Sequence, residues 1–215
     1  MDAQFWFDSW EEGGFKTSFH RRDIHPYIIR YFPPEKLQNM RVLVPLCGKT
    51  LDLEYFRQNA SYVTGVELVK KAICQFFEEQ ELEYECNGNR FEAKGITIIN
   101  DDFLTLTRQD IGQIDLIYDR ASLVALPISM RLDYIEKINE LLPIGGQQFV
   151  NTLEYSPFMG EPPFSVTPDE VKKYYGQTHH IQHLEEPMIP KHGLIRKWGL
   201  DYVKEHGFLL TKFCD

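Results

Sequence analysis

The apolar and polar positions of this chain predict short buried strands that alternate with amphipathic helices. Residues 41–44 form a β-branched run without polar alternation, which is typical of a strand covered on both faces. Seven strands are predicted in all, at 41–44, 62–66, 96–99, 114–118, 148–154, 179–184 and 204–213. The main helices are predicted at 69–83, 129–142 and 168–175, and the polar segment 85–94 is predicted to be an excursion or a loop. This order predicts an α/β fold, with a doubly wound, mostly parallel, seven-stranded Rossmann-like sheet and helices on both faces.

The stretch 41–67 carries the pattern most typical of ligand binding. Gly48 follows the first strand in a tight turn, and Glu67 ends the second strand. In doubly wound sheets, an acidic side chain about 20 residues beyond such a turn binds ribose hydroxyls. The single glycine and the absence of a P-loop pattern disfavour a pyrophosphate ligand. A ribose-containing ligand without phosphate, such as S-adenosylmethionine, is therefore favoured, and an ordinary βαβ unit with a solvent-facing Glu67 is the alternative.

Polar side chains also follow the later strands. Asp101 and Asp102 come directly after the third strand, and Asp119 and Arg120 end the fourth. Carboxyl ends of parallel strands meet at one edge of a sheet, where ligands bind. The sequence therefore predicts that these groups and Glu67 converge.

The first 40 residues are rich in aromatic side chains. Trp6 and Trp10 are four residues apart and would share one face of a helix, with Gly13-Gly14 after it as a hinge. One interpretation is an amphipathic helix packed on the sheet, and the other is an aromatic lid over a flat ligand. Residues 1–40 are treated as a lid segment within a single domain spanning 1–215.

Composition and charge narrow the class of protein. The net charge of −9 argues against nucleic acid as a partner, and no apolar run is long enough to span a membrane. The acidic, aromatic N-terminus is unlike a signal peptide, so we expect a cytoplasmic location, and we expect a monomer. The four cysteines lack C-x-x-C spacing and are interpreted as reduced thiols. We expect no metal site at His179, His180 and His183, because His179 and His183 share a strand face with no nearby carboxylate in sequence.

Short motifs spread from residue 6 to about residue 212 match one known family. They are Trp6 with Trp10, Phe19-His20, VLVPLCGKTLDL (42–53), VTGVEL (63–68), YDRASLVALP (118–127), Met130-Arg131, LEY (153–155), PPFSV (162–166) and Trp198-Gly199-Leu200. With these motifs the chain resembles the thiopurine S-methyltransferases, a branch of the S-adenosylmethionine-dependent methyltransferases with the doubly wound fold. The PLCGK turn, the aspartate-arginine strand end and the Pro-Pro-Phe loop are specific to this branch.

The resemblance implies a role for each matching residue. Trp6 and Trp10 would close over S-adenosylmethionine, whose product is S-adenosylhomocysteine. Leu46 would contact its methionine part, Glu67 would bind the ribose, and Asp101 and Asp102 would contact the adenine. Arg120 would line the cavity for cofactor and substrate, and Phe19 would face a small thiol or selenol substrate. From the chemistry of the strand end, Asp119 is predicted to orient Arg120 or to accept a proton. An ion pair of Asp119 with Arg120 that only fixes the strand end is the alternative.

Two departures from the vertebrate pattern concern the substrate. About two extra residues lie between Trp10 and Phe19, and Leu194 stands where the vertebrate pattern has an arginine, with Arg196 two residues further on as the candidate substrate contact. The acceptor therefore stays open between a thiopurine-like thiol and halide, sulfide, or selenium and tellurium oxyanion-derived acceptors. A non-catalytic binder of S-adenosylmethionine or S-adenosylhomocysteine is the alternative from another class.

Overall fold

The structure, a computed structural model, describes residues 3–17 and 23–215. It divides into two compact units, Met1–Ile117 and Tyr118–Asp215, which are described separately. The single domain spanning 1–215 stays a prediction. Among the described residues, no helix is both long and apolar enough to cross a membrane.

The first unit contains the parallel part of the sheet. Its strands are β1 (Arg41–Val44), β2 (Tyr62–Glu67), β3 (Glu85–Asn87), β4 (Arg90–Ala93), β5 (Ile96–Asn100) and the start of β6 (Leu116–Arg120). Its helices are α1 (Ala3–Glu12), α2 (Pro26–Tyr31), α3 (Pro34–Leu37), α4 (Leu51–Asn59), α5 (Lys70–Glu79) and α6 (Arg108–Ile111), with 3-10 turns at Gly14–Thr17 and Phe103–Thr105. The parallel strands are apolar on both faces, which confirms the prediction of strands that are buried on both sides.

The register in this unit aligns the strand ends that were predicted to carry ligand-binding groups. The order is β3-β4-β5-β2-β1-β6, and β5, β2, β1 and β6 are parallel. Glu67 pairs with Asn100, so the carboxyl ends of β2 and β5 lie side by side. The predicted proximity of Glu67 to the segment that begins at Asp101 is thus present in this unit.

The prediction of a loop over 85–94 is wrong. These residues form the antiparallel hairpin of β3 and β4, in which Asn87 pairs with Arg90 and Gly88 has a φ of +65°. The two-residue loop is Gly88-Asn89, and Gly88 supplies the positive φ at the first loop position. Phe91 is buried at the β4 position that pairs with Ile98 of β5. The fold therefore adds a hairpin to the seven predicted strands.

The second unit is built on an antiparallel sheet. It contains the end of β6, then β7 (Gln147–Ser156), β8 (His179–Glu185) and β9 (Tyr202–Lys212), in the order β7-β9-β8. Its helices are α7 (Ile128–Leu141), α8 (Pro168–Tyr175) and α9 (Gly193–Trp198), with a 3-10 turn at Leu123–Ala125. The last strand, β9, is antiparallel to both of its neighbours, and β7 is longer than predicted because all ten of its residues pair with β9.

Arg131 of α7 is a fully buried cation in this unit. Its guanidinium donates to the carbonyl of Leu126 (3.0 Å), to Glu170 Oε1 of α8 (3.0 Å) and to the carbonyl of Ser165 (3.4 Å). It also lies over the ring of Phe164, at 5.9 Å from the centroid. Arg131 thus holds the loop before α8 against the start of α7.

We expect Arg131→Leu to lower the free energy of unfolding by about 3 kcal/mol, the lower end of the range for breaking a buried ion pair. The lower end applies because the side chain of Glu170 is 30% exposed and water can solvate it once it is unpaired. Urea unfolding measures the change. Lys137→Ala, which removes the Lys137–Glu140 pair of the same helix (2.6 Å), is the control and should cost less than about 1 kcal/mol. Equal losses in the two variants would contradict the structural role of Arg131.

Candidate functional site

The turn between β1 and α4 has an unusual backbone. Leu46 and Gly48 have φ values of +47° and +53°, and the Cys47 N–H donates to the carbonyl of Val66 at 2.9 Å. Thr50 is the N-cap of α4, where its hydroxyl accepts from the Asp52 N–H at 3.3 Å. A leucine with positive φ is strained, so the surrounding contacts hold this turn in one shape beside the end of β2.

Asp52 lies in the first turn of α4, and its hydrogen-bond partner cannot be predicted from the sequence. Its buried carboxylate accepts from the backbone N–H of His25 at 2.9 Å. The segment before α2 is therefore fixed to the first turn of α4.

The carboxylate of Glu67 lies at the centre of this turn. Its Oε2 accepts from the Gly48 N–H and its Oε1 from the Val69 N–H, both at 2.8 Å. Asn100 donates to the carbonyls of Glu67 (3.0 Å) and Leu68 (2.8 Å), which fixes the chain as it leaves β2. Both carboxylate oxygens are thus oriented by the backbone, and each retains a further lone pair for a hydroxyl donor.

Burial changes the protonation of this carboxyl group. Glu67 is 7% exposed, and burial raises its pKa to about 7 against the opposing effect of the backbone N–H groups of Val69, Gly48 and Leu68. Burial and the nearby charge of Glu67 also raise the pKa of the Cys47 thiol well above its ordinary value. Cys47 is buried as well, and a thiol with a raised pKa is a poor nucleophile, which favours a packing role.

The tryptophans of α1 pack next to the same segment. Trp10 is buried in a cluster with Val69 and Ala72, and Trp6 packs against that cluster. The Val69 whose N–H binds Glu67 is thus also the residue that Trp10 covers. This packing matches the amphipathic interpretation of the N-terminus, and closure of the aromatic residues over a ligand stays a prediction.

Asp101 and Asp102 form a polar turn directly after β5. Asp102 accepts from the Leu104 N–H at 3.0 Å and caps the following 3-10 turn, and Asp101 accepts from Asn89 Nδ2 at 2.9 Å. Asp102 is exposed and Asp101 is partly exposed. Both residues lie beside the end of β2 that carries Glu67. Their side chains already make hydrogen bonds to nearby groups of the chain.

In the second unit, Asp119 and Arg120 end β6 in different environments. Asp119 is fully buried and accepts from the Tyr134 hydroxyl (2.9 Å), the Leu123 N–H (3.1 Å) and Gln148 Nε2 (3.3 Å), whereas Arg120 is partly exposed. Neighbouring residues on a strand point to opposite faces, so these contacts separate the two side chains. Burial raises the pKa of Asp119 to about 6, against the lowering effect of its three donors.

This network fixes the chain at the end of β6. Its bonds to Tyr134 and to the Leu123 N–H hold the segment that follows Arg120, in which Ala121 has a φ of +64°. Tyr134 and Gln148 are the members that sequence reasoning missed. Neither residue carries a sequence signal, because a helix tyrosine and a strand glutamine are ordinary at core and surface positions alike.

The remaining substrate candidates lie elsewhere in the structure. Arg196 is exposed on α9, while Leu194, Ile195 and Trp198 of the same helix pack on the cluster of Tyr155, Leu200 and Val203. Leu194 therefore has a packing role where the vertebrate pattern has an arginine. Phe19 lies outside the described residues.

Replacing Gly65 of β2 tests how tightly the turn between β1 and α4 is packed. A Cβ at this position would lie 2.9 Å from Cys47 Sγ and 3.3 Å from Ile98 Cγ1. We expect Gly65→Ala to destabilise the protein by about 1–3 kcal/mol, because overpacking forces the turn or its neighbours to shift. Gly160→Ala, where nothing lies within 4 Å, is the control. Thermal unfolding measures both, and an unchanged Gly65→Ala would contradict the tight packing.

The sequence matches one family model over nearly its whole length. The family described as Thiopurine S-methyltransferase matches residues 1–213. Thiopurine S-methyltransferase from Pseudomonas aeruginosa PAO1 is 38% identical over 219 residues, covering 99% of this chain and 100% of that protein. The one from Shewanella amazonensis is 32% identical, again over 99% of this chain and 100% of that protein.

Solved structures with a similar fold are more distant in sequence. TehB from Haemophilus influenzae has a TM-score of 0.64 at 16% identity, covering 89% of this chain and 63% of that one. The 1,6-didemethyltoxoflavin-N1-methyltransferase from Burkholderia thailandensis, solved with S-adenosylhomocysteine, has a TM-score of 0.57 at 17% identity, covering 82% and 72%. At these identities the likeness establishes the fold, and it confirms the α/β, Rossmann-like prediction.

Proposed function

The chain belongs to the thiopurine S-methyltransferase family, and from this premise we propose that it methylates the sulfur or selenium of a small aromatic or heterocyclic thiol, such as a thiopurine. Methyl transfer from S-adenosylmethionine follows from the family itself. The proposal also includes the residue roles given below, a monomeric state and a cytoplasmic location.

The observation that supports this proposal best is the environment of Glu67. Its carboxylate ends a parallel strand, both of its oxygens are held by backbone N–H groups at 2.8 Å, and Trp10 packs on the Val69 that provides one of them. Such a fixed carboxylate fits the two hydroxyls of a ribose, and the turn at Leu46 and Gly48 lies directly beside it. Trp6 and Trp10 then provide an apolar cover on this side of the ligand.

Methyl transfer requires the protein to position the cofactor and the acceptor more than to form covalent bonds with them. When bound, the cofactor supplies a methyl group on a sulfonium centre, which a thiolate or selenolate attacks in line. Glu67, Asp101 and Asp102 would fix the nucleoside part, and Leu46 the methionine part. Holding two reactants in line and excluding water provides most of the acceleration in such reactions.

The protein's contribution to the acceptor is a positive charge. Arg120 is partly exposed at the end of β6, and its guanidinium would favour the thiolate form of an acceptor thiol. Asp119 would act through the backbone, since its hydrogen bonds to Leu123 and Tyr134 hold the segment after Arg120.

A direct assay separates this proposal from its alternatives. Purified protein is incubated with methyl-labelled S-adenosylmethionine and a panel of acceptors: thiopurines, simple aromatic thiols, sulfide, iodide, selenite and tellurite. Transfer to the heterocyclic and aromatic thiols with a higher kcat/KM than to the inorganic acceptors supports the proposal. Preference for sulfide, halide or an oxyanion-derived acceptor would replace it. Binding of S-adenosylhomocysteine without transfer to any acceptor would favour a non-catalytic binder.

A further inference from the structure

A cluster of two histidines and two carboxylates lies in the second unit and includes none of the residues assigned above. The possible ligand atoms of His183, Glu186 and His206 lie within 4.8 Å of one another. His183 Nε2 and His206 Nδ1 are 3.1 Å apart, and His206 Nε2 is 3.0 Å from Glu154 Oε2. These groups come from β7, β8, β9 and the residue after β8.

The arrangement of His206 resembles that of a metal-binding histidine. Its side chain is fully buried, and a carboxylate can only accept, so Nε2 carries the proton that is donated to Glu154. In the neutral imidazole this leaves the lone pair of Nδ1 directed at His183. A carboxylate that holds the far nitrogen of a histidine ligand fixes its tautomer and orientation. The Tyr202 hydroxyl, which donates to Glu154 Oε1 at 2.9 Å, holds that carboxylate in turn.

The distance between the two nitrogens also fits a metal. Two imidazole nitrogens at about 2.05 Å from a tetrahedral Zn²⁺ lie about 3.3 Å apart. The observed 3.1 Å needs only a small opening. The ring of His183 is stacked on Phe208, at 4.4 Å between centroids, which fixes its direction.

A β-bulge brings the third ligand to the same face. His183 pairs with Phe208 but Glu185 pairs with Gly207, so the register shifts between them. Continuing the shifted register places Glu186, rather than Glu185, opposite His206. We expected no metal site because His179, on the same strand face, was the only partner of His183 that the sequence indicated. In the structure His179 is buried against Tyr175, and the partners of His183 come from β9 and from beyond the bulge.

We propose that His183 Nε2, His206 Nδ1 and the carboxylate of Glu186 bind one Zn²⁺ or a similar divalent transition metal, with Glu154 orienting His206. Two imidazoles and one carboxylate suit such a metal better than Mg²⁺ or Ca²⁺, which prefer oxygen ligands. Three protein ligands leave a fourth position for water. This site is independent of the proposed methyl transfer.

Titration of the metal-free, reduced full chain with Co²⁺ and Zn²⁺ tests the site. We expect one metal per chain, with the visible bands of tetrahedral Co²⁺ and without the thiolate charge-transfer band that a cysteine site would give. His183→Ala should weaken binding at least 100-fold, and Glu154→Gln should weaken it about 10–100-fold. His180→Ala is the matched control, because His180 lies on the same strand and contacts Phe213 instead.

The proposal is overturned if binding is not saturable, if it shows thiolate bands, or if the His183→Ala and His180→Ala variants bind equally well. His183 and Glu186 are exposed, so both can be replaced without opening the core. If His183→Ala changes the unfolding temperature, Glu186→Ala provides the second test, and unchanged binding in that variant also counts against the site.

Discussion

Glu67→Ala should lose about 100-fold or more in affinity for S-adenosylhomocysteine. Each hydrogen bond to a charged group contributes roughly 1.5–3 kcal/mol, so losing two from the ribose hydroxyls corresponds to at least that factor. Isothermal titration of the wild type and the variant measures it. No binding by the wild type would refute the cofactor site, and full binding by the variant would refute the role of Glu67.

The pH dependence of S-adenosylhomocysteine binding tests whether the ionised carboxylate of Glu67 is the binding group. The pKa of Glu67 is raised to about 7 by burial, and ribose hydroxyls bind the ionised form better. Wild-type affinity should therefore be constant above pH 7 and fall by up to about tenfold per unit below it, because binding must then release a proton. Glu67→Gln should bind more weakly and show no such dependence.

Controls separate lost binding from lost structure. Removing Glu67 leaves the N–H groups of Gly48 and Val69 without their acceptor, so thermal unfolding is measured alongside the titration. Glu54→Ala removes another carboxylate near the turn, one that pairs with Arg57 of the same helix at 2.6 Å. It should leave affinity and its pH dependence unchanged.

Arg120→Ala should lower kcat/KM for a thiol acceptor about 100-fold at neutral pH, while costing little stability. A guanidinium within a few ångströms lowers the pKa of an acidic group by about 1–3 units, so its loss reduces the thiolate fraction by a similar power of ten. The deficit should shrink as the pH rises above the acceptor's pKa, where the thiol ionises without help. Steady-state rates between pH 6 and about 10 measure this.

Two further variants show whether the activity lost in Arg120→Ala comes from the lost positive charge. Arg120→Lys retains the positive charge and should recover part of the activity. Arg108→Ala removes an exposed arginine of α6 and should behave as the wild type. A loss in Arg120→Ala that does not change with pH, or that equals its loss of stability, would contradict a role in ionising the acceptor.

The sequence predicted the strands and the position of Glu67 because both are local properties. Uninterrupted apolar runs gave β1, β2, β5 and the start of β6, and the spacing from Gly48 placed Glu67 at the end of β2. The parallel register then brings Asn100 beside it. No contact between distant residues had to be known for these predictions.

Hydrogen-bond partners and register could not be predicted in the same way. Asp52 binds the backbone of His25, and Asp119 binds Tyr134 and Gln148, although in the sequence each carboxylate is simply one more residue at an element end. The hairpin of β3 and β4 appeared in a segment whose polarity indicated a loop. These partners depend on which helices and strands pack together. Local periodicity in the sequence carries no information about that packing.

The sequence by itself determined the class of fold, the family and the carboxylate at the centre of the candidate cofactor site. Apolar periodicity, turn glycines and motif spacing can all be recognised within short segments of the chain. Only the tertiary structure decided that both oxygens of Glu67 are held by backbone, that Asp119 is buried, and that His183, Glu186 and His206 meet. Burial and the shifted register at a β-bulge decide these features, and both arise only when distant parts of the chain pack together.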